Sequence, residues 1–187
     1  MNPAIKVGLF CIVGGIQMFV PLMQVRRYED ILRTGRPYQF RTAAVDPSDA
    51  FRGRYVALGF VGTVTTAAEG AALRSGGPAY VGLLEGPDGM ARFGPLLGVP
   101  PSAGDYLRVE YAWGEDTNAH FRLPFDRFYM EESKAVKAEA AYGRLNRRGQ
   151  TNVVTYARVR VKGGRGVIED VFIGDRSLRE IAAGSEP

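Results

Sequence analysis

Apolar residues follow two different patterns along this chain. Residues 7–25 form a run of 19 residues that contains no charged side chain. As a helix this run would be about 28 Å long, close to the hydrocarbon thickness of a bilayer. Further along, apolar and polar residues alternate with a period of two, as they do in strands with one buried face. The pattern therefore predicts a transmembrane helix followed by a β-rich domain.

Two segments, residues 55–60 and 106–111, show the alternation most clearly. Each is preceded by a glycine-containing turn, and each is predicted to be a strand with one apolar and one wetter face. The apolar rows consist of Val56, Leu58 and Phe60 in the first segment and of Leu107, Val109 and Tyr111 in the second. We interpret the similarity of the two segments as the same type of turn preceding two strands of an antiparallel sheet. An internal duplication is the alternative.

The remaining elements follow from turn residues and composition. Gly86-Pro87-Asp88-Gly89 predicts a tight turn, and strands are predicted on both sides of it. Residues 65–77 suit either a short helix or a loop, and residues 133–142 are rich in helix formers. Further strands are predicted at 38–45, 78–85, 90–96, 152–161 and 166–173. The fold class is therefore mainly β, an antiparallel barrel or sandwich with one or two helices.

These elements divide the chain into five parts. Glu29 and Arg33, an i,i+4 pair, favour a helix that continues beyond the span until Gly35 and Pro37 end it. The residues after Arg176 are mostly polar and are predicted to fray. The parts are a short tail (1–6), a transmembrane anchor (7–25), a juxtamembrane helix or linker (26–36), a β-rich domain (37–176) and a polar tail (177–187).

An uncleaved anchor is the preferred interpretation of residues 7–25, and a cleaved signal peptide is the alternative. The run is long for a signal peptide, and no small-x-small cleavage site follows it. Lys6 before the span and Arg26 and Arg27 after it nearly balance, so the positive-inside rule decides little. Because few residues precede the span, we expect a single-pass protein of the cell (inner) membrane with its N-terminus inside and its bulk extracytoplasmic.

Charge and composition narrow the classes of ligand. The net charge is +4, and the basic residues are scattered along the chain, which does not favour nucleic-acid binding. The alternating charges of residues 158–162 are typical of a solvated sheet face. With one cysteine, Cys11, and one histidine, His120, the chain offers no intramolecular disulfide and no cysteine-based metal site. We therefore expect no metal and no cofactor. The predicted membrane span makes membrane lipid an expected partner.

The residues Asp46-Pro47-Ser48-Asp49-Ala50-Phe51-Arg52-Gly53-Arg54-Tyr55 resemble the turn-and-strand motif of the GDYxxLxY family of bacterial membrane-anchored proteins. Residues 124–132 resemble a second motif of that family, with Asp126 and Glu132 at its acidic positions. The chain departs from the family at Arg54, where aspartate is favoured, and at Phe60, where tyrosine is favoured. Asp105 restores a Gly-Asp-Tyr in the later strand. The resemblance implies a membrane location and a β-rich fold rather than a particular activity.

The two motifs supply the polar residues of a candidate pocket or partner-binding site. One interpretation is a ligand pocket, and the other is turn capping combined with surface ion pairs. Glu131 could add to the acidic set, and paired carboxylates could also cleave a glycosidic bond. The candidate residues are Asp46, Asp49, Arg52, Gly53, Tyr55, Asp126, Arg127, Tyr129 and Glu132.

Three catalytic or carbohydrate-binding interpretations are alternatives to this one. A Ser-His-Asp site would use His120 with Asp116 or Asp126, but no Gly-x-Ser-x-Gly motif is present. A membrane-tethered Ser–Lys peptidase would need Ser48 or Ser102 with Lys134 or Lys162. A carbohydrate platform would use the aromatic side chains of Phe121, Phe125, Phe128 and Tyr129.

The sequence thus favours a non-catalytic, membrane-anchored binding or regulatory module that acts with a larger integral membrane protein. Small and amide side chains mediate contacts between helices in lipid, and Gly14, Gly15 and Gln17 are the predicted contact residues. The alternative is a membrane-tethered hydrolase, either Ser–Lys peptidase-like or carbohydrate-active.

Overall fold

The structure, a computed structural model, describes residues 3–43, 55–115, 117–130 and 154–184. The chain begins with one long helix, α1 (Pro3–Thr34), which contains Pro21 and continues well beyond the apolar run. At its end the amide of Gly35 donates a hydrogen bond of 2.8 Å to the carbonyl of Ile31. The predicted continuation of the helix past residue 25 is confirmed, as is the Glu29–Arg33 ion pair at 3.9 Å.

The described part of the chain after α1 is built mainly of strands. They are β1 (Arg36–Ala43), β2 (Tyr55–Ala57), β3 (Gly59–Phe60), β4 (Val64–Thr66), β5 (Pro78–Glu85), β6 (Ala91–Leu97), β7 (Tyr106–Glu115), β8 (Asn118–Arg122), β9 (Arg127–Tyr129), β10 (Thr155–Lys162), β11 (Arg165–Ile173) and β12 (Arg176–Ser177). A short helix, α2 (Leu178–Ala183), follows.

The strands form a nearly closed, barrel-like antiparallel arrangement. One sheet has the order β12-β11-β10-β1-β3, a second has the order β4-β8-β7-β5-β6, and β2 pairs with β9. The second sheet curls so that its two outer strands approach each other: the amide of Ala68, just after β4, donates to the carbonyl of Leu96 in β6 at 2.9 Å. The predicted antiparallel, mainly β fold is confirmed.

The hydrophobic core lies between the two larger sheets. Its side chains come from alternate positions of the strands, because successive residues of a strand point to opposite faces. Leu96, Leu107 and Leu178 are among the large side chains that are fully enclosed. The core also contains Tyr38, Phe40, Val81, Val109, Phe121, Phe125, Phe128, Val159, Val161, Val171 and Ile173.

The first alternating segment differs from its prediction in one respect. Val56 and Leu58 are buried and Phe60 is partly buried, as the period of two predicts, but the segment is not a single strand. The regular strand is interrupted at Leu58, whose amide donates to the carbonyl of Asp126 at 2.8 Å. This hydrogen bond extends the pairing of β2 with β9, whereas β3, which follows Leu58, pairs with β1.

The predicted fraying of the chain after Arg176 is wrong for the residues that the structure describes. Ser177 and Glu180 form a reciprocal capping box at the start of α2. Leu178 and Ala182 of this helix are buried in the core. The burial of Leu178 and Ala182 and the capping box each stabilise the folded segment, so the residues of α2 do not fray.

The alternatives for residues 65–77 resolve into strand β4 followed by a loop, without a helix. The hairpin predicted around Gly86–Gly89 is confirmed as β5 and β6, and the hairpin around Gly163 and Gly164 is confirmed as β10 and β11. The predicted helix at 133–142 and most of the 46–55 turn lie outside the described residues.

The end of α1 is attached to the β domain by several contacts with β10. Ile31 is 5% exposed and is buried against the domain. The ammonium group of Lys162 lies 2.7 Å from the carboxylate of Asp30 and donates to the hydroxyl of Thr34 at 2.8 Å. Arg160 donates to the carbonyl of Gly35 at 3.3 Å. These contacts fix the direction in which the helix leaves the domain.

Candidate functional site

Four of the nine predicted pocket residues lie in the described part of the chain, and the structure brings all four together. Tyr55 is on β2, Arg127 and Tyr129 are on β9, and Asp126 comes just before β9. The antiparallel pairing of these strands sets Tyr55 opposite Tyr129. The other five predicted residues fall outside the described ranges: Asp46, Asp49, Arg52, Gly53 and Glu132.

Arg127 is the centre of this group. Its guanidinium lies 5.0 Å from the centre of the Tyr55 ring and 3.6 Å from the carboxylate of Asp126. The rings of Tyr55 and Tyr129 are 5.7 Å apart. A hydrogen bond with Tyr129 and, after it, the negative charge of Asp126 raise the pKa of Arg127. The guanidinium is therefore a permanent positive charge held in place by aromatic and acidic neighbours.

The group is exposed to solvent rather than sealed in the core. Tyr129 is 63% exposed, and the side chains of Asp126 and Arg127 are also more than half exposed. Exposed ion pairs contribute little to stability because water screens them. The arrangement can therefore present charge and aromatic surface to a ligand.

A groove of about 400 Å³ lies directly beside this group. We call it the helix–domain groove, because Tyr28 of α1 forms part of its wall. Arg179 of α2 and Gly166 of β11 also line it, together with Pro124, Phe125, Asp126, Arg127, Phe128, Tyr129, Val167 and Ile168. At Gly166 a Cβ atom would overlap the ring of Phe125, so glycine allows this buried ring to pack closely against β11.

The sequence did not predict Tyr28 or Arg179 as site residues. Arg179 lies in the segment predicted to be a polar tail, yet its guanidinium lies 5.2 Å from the centre of the Phe128 ring. It also donates to the carbonyl of Glu169 at 3.3 Å and lies 3.8 Å from the carboxylate of Asp170. The sequence contains one signal for Tyr28, since it is an aromatic residue just after the apolar run and two arginines, a combination typical of predicted membrane surfaces.

The described residues offer little to the other chemical interpretations. Phe121, Phe125 and Phe128 are core side chains, so of the four candidate platform aromatics only Tyr129 is exposed. His120 stacks on Trp113 at 3.7 Å, and Lys162 is engaged by Asp30. Within the described ranges, no group of three or more His, Cys, Asp or Glu side chains is placed to hold a metal ion.

The Gly-Asp-Tyr of residues 104–106 joins the two sheets. The hydroxyl of Tyr38 in β1 donates to the carboxylate of Asp105 at 2.9 Å. Burial and this bond to a carboxylate raise the pKa of Tyr38 to about 12, so the phenol stays protonated as the donor. Two residues after Tyr106, the amide of Arg108 donates to the carbonyl of Gly164 at 2.8 Å. The turn is therefore a structural connection.

The chain thus combines an apolar helix long enough to cross a membrane with a barrel-like β domain and an open groove at their junction. The family model described as GDYXXLXY protein matches residues 17–171. The chain belongs to this family, and the resemblance noted in the sequence is confirmed. No curated protein and no solved structure matches the chain.

Proposed function

We propose that this protein is a single-pass membrane protein whose β domain acts as a non-catalytic binding or regulatory module beside a larger integral membrane protein. The observation that carries the proposal is the exposure of the apolar surface of α1. Residues 8–34 form a candidate span, and its most apolar window has no part buried within the protein. Large apolar side chains such as Phe10, Met18 and Phe19 are exposed. A bilayer is the environment that would cover such a surface.

The junction between α1 and the domain supports a fixed orientation at the membrane surface. Ile31, Asp30 and Thr34 contact the sheet within three turns of Val25, the end of the uncharged run. At about 1.5 Å per residue, the first of these contacts is less than 10 Å above that end. The domain is therefore held close to the lipid headgroups, where it can contact the outer part of a neighbouring membrane protein.

The distribution of small and amide side chains around α1 supports a partner with more than one helix. Residues seven apart lie nearly in line on a helix, which turns by about 100° per residue. Gly8 and Gly15 therefore share one line, and Gln17 and Gln24 share a line on the opposite side. Gly14 lies between the two lines. This half of the helix suits close helix packing and interhelical hydrogen bonds.

Replacing both Gly14 and Gly15 with leucine should weaken co-purification with the partner severalfold. A side chain at either position would project into open space, so the change adds bulk to the contact surface without disturbing the protein itself. The measurement is quantitative co-purification of the tagged full chain from native membranes, with domain folding checked by circular dichroism.

The matched control is Ile16→Leu with Met23→Leu. These two residues lie on the opposite half of the helix, in line with Leu9, and the substitutions conserve side-chain volume. Equal recovery of the partner with both double variants would contradict the assigned contact surface. Recovery of only a second copy of this chain would contradict the larger partner.

The proposed orientation places the N-terminus in the cytoplasm and the β domain outside it. We expect a reporter that is active only outside the cytoplasm to be active when fused after Pro187. A reporter active only in the cytoplasm, fused at the same residue, should then be silent. The reverse pair of results from well-expressed fusions would show that the β domain is cytoplasmic.

A further inference from the structure

We propose that the helix–domain groove binds the headgroup phosphate of an anionic phospholipid drawn from the membrane that α1 spans. The inference rests on the proposed membrane anchoring and adds a ligand class to it. It is carried by the height of the groove above the apolar run, by its charge and by the way its arginines are held.

The height of the groove matches the headgroup layer. Tyr28 lies three residues after Val25, the last residue of the uncharged run, which is a rise of about 4.5 Å along the helix. The headgroup region on each side of a bilayer is roughly 5–7 Å thick. Tyr28 therefore lies at headgroup level, and the groove that it lines lies there with it.

The charge of the groove suits an anion. Its lining contains two cationic side chains, Arg127 and Arg179, and one carboxylate, Asp126, and the carboxylate of Asp170 lies 3.8 Å from Arg179. Arg26 and Arg27 add two exposed cationic side chains on the turn of α1 that leads to Tyr28. Basic residues next to a span attract anionic lipids, and this set of four contains residues from three separate parts of the chain.

Both groove arginines are positioned on aromatic rings. Arg127 lies over Tyr55, and Arg179 lies over Phe128, which fixes each guanidinium plane while about half of each side chain stays exposed. The Nε of Arg127 faces Asp126, and Arg179 uses its Nε and one terminal nitrogen toward Asp170 and the carbonyl of Glu169. A guanidinium carries five N–H donors, so each arginine retains donors that can reach a phosphate. The arginines are thus arranged for phosphate recognition before any ligand arrives.

The rest of the lining favours a lipid over a free phosphate. Tyr28 and Tyr129 are exposed aromatic residues with a polar hydroxyl, a type enriched at membrane surfaces. Pro124, Val167 and Ile168 add apolar surface that a small soluble anion would not use. A lipid glycerol backbone beneath the phosphate can contact this surface.

The test is a titration of the full-length chain in detergent with phosphatidylglycerol, using native mass spectrometry to count bound lipid. We expect tighter binding of phosphatidylglycerol than of phosphatidylcholine. The double variant Arg127→Gln with Arg179→Gln should weaken phosphatidylglycerol binding by about tenfold, because each basic residue near an anionic surface contributes severalfold. Equal affinity of the unaltered chain for the two lipids would overturn the proposal.

The chain contains a matched control groove. It has a volume of about 450 Å³ and is lined by Arg108, Arg122 and Glu110, the same charges as in the lining of the helix–domain groove, but by no residue of α1. Arg108→Gln with Arg122→Gln should leave phosphatidylglycerol affinity unchanged. An equal loss in both double variants would show nonspecific charge attraction and would also overturn the proposal.

Two further arms separate the remaining outcomes. Soluble glycerol phosphate should not displace the lipid at equal concentration, and displacement would reassign the groove to free phosphates. If the double variant does not fold, each single variant is measured, with an expected loss of affinity of about threefold. No loss in either single variant overturns the site.

Carbonate extraction tests the membrane anchor separately. An extractable chain contradicts the proposed function, whereas an anchored chain without lipid preference contradicts only the lipid site in the groove.

Discussion

Replacing Leu178 with alanine should lower the free energy of unfolding by about 2–5 kcal/mol. Leu178 is the first residue of α2 and is 0% exposed. The substitution removes three carbon atoms from a closely packed region and leaves a cavity that the surrounding side chains fill only in part. The measurement is thermal unfolding of the full-length chain in detergent, followed by circular dichroism.

Val99→Ala is the control for this result. Val99 is an apolar loop residue that is 69% exposed, so its truncation should change stability by no more than about 0.5 kcal/mol. If both variants unfold at the same temperature, the residues after Arg176 do not belong to the folded domain. That outcome would restore the interpretation of this segment as a frayed polar tail.

The sequence contained a signal for α2 that composition obscured. Ser177 and Glu180 have the Ser-x-x-Glu spacing of a capping box, and both hydrogen bonds of the box are present. The helix has only six residues, too few for an apolar period to stand out. The capping pattern was therefore the more informative evidence at this end of the chain.

Other elements could be predicted because their signals are local. The long apolar run gave α1, and the period of two with glycine turns gave the β5–β6 and β10–β11 hairpins. The break at Leu58 could not be predicted in this way. It accompanies a change of partner strand, from β9 for residues 55–57 to β1 for residues 59–60, and a local pattern does not specify partner strands.

The candidate site could be predicted only in part for the same reason. The sequence motifs pointed to Tyr55, Asp126, Arg127 and Tyr129, and the pairing of β2 with β9 brings them together. The groove beside them needs Tyr28 from α1 and Arg179 from α2 as well. Positions so distant in sequence meet only through the packing of the whole domain, which no local pattern contains.

Gly164→Ala should destabilise the domain by about 2–5 kcal/mol, and the reasons are local. Gly164 has a φ of 77°, which disfavours any residue with a Cβ atom and costs about 1–2 kcal/mol. The new Cβ would also lie 2.6 Å from the ring of Tyr106. Overpacking of this kind typically adds 1–3 kcal/mol, roughly. Thermal and denaturant unfolding of the full chain measure the loss.

Gly163→Ala separates the two causes. Gly163 also has a positive φ, 56°, but open space surrounds its Cβ position, so this variant should lose only about 1–2 kcal/mol. Combining Gly164→Ala with Tyr106→Ala should remove the steric part, giving a coupling of about 1–3 kcal/mol between the two sites. Gly163→Ala combined with Tyr106→Ala should show no coupling.

A coupling confined to Gly164 would explain how the Gly-Asp-Tyr turn connects the two sheets. Tyr106 lies against the hairpin turn of the first sheet, while Asp105 accepts a hydrogen bond from Tyr38 of the same sheet. Asp105 and Tyr106, at the start of β7, would then attach the second sheet both to β1 and to the turn between β10 and β11. If Gly163→Ala and Gly164→Ala lose equal stability and neither couples to Tyr106, the connection between the sheets depends on Asp105 and the Arg108–Gly164 hydrogen bond instead.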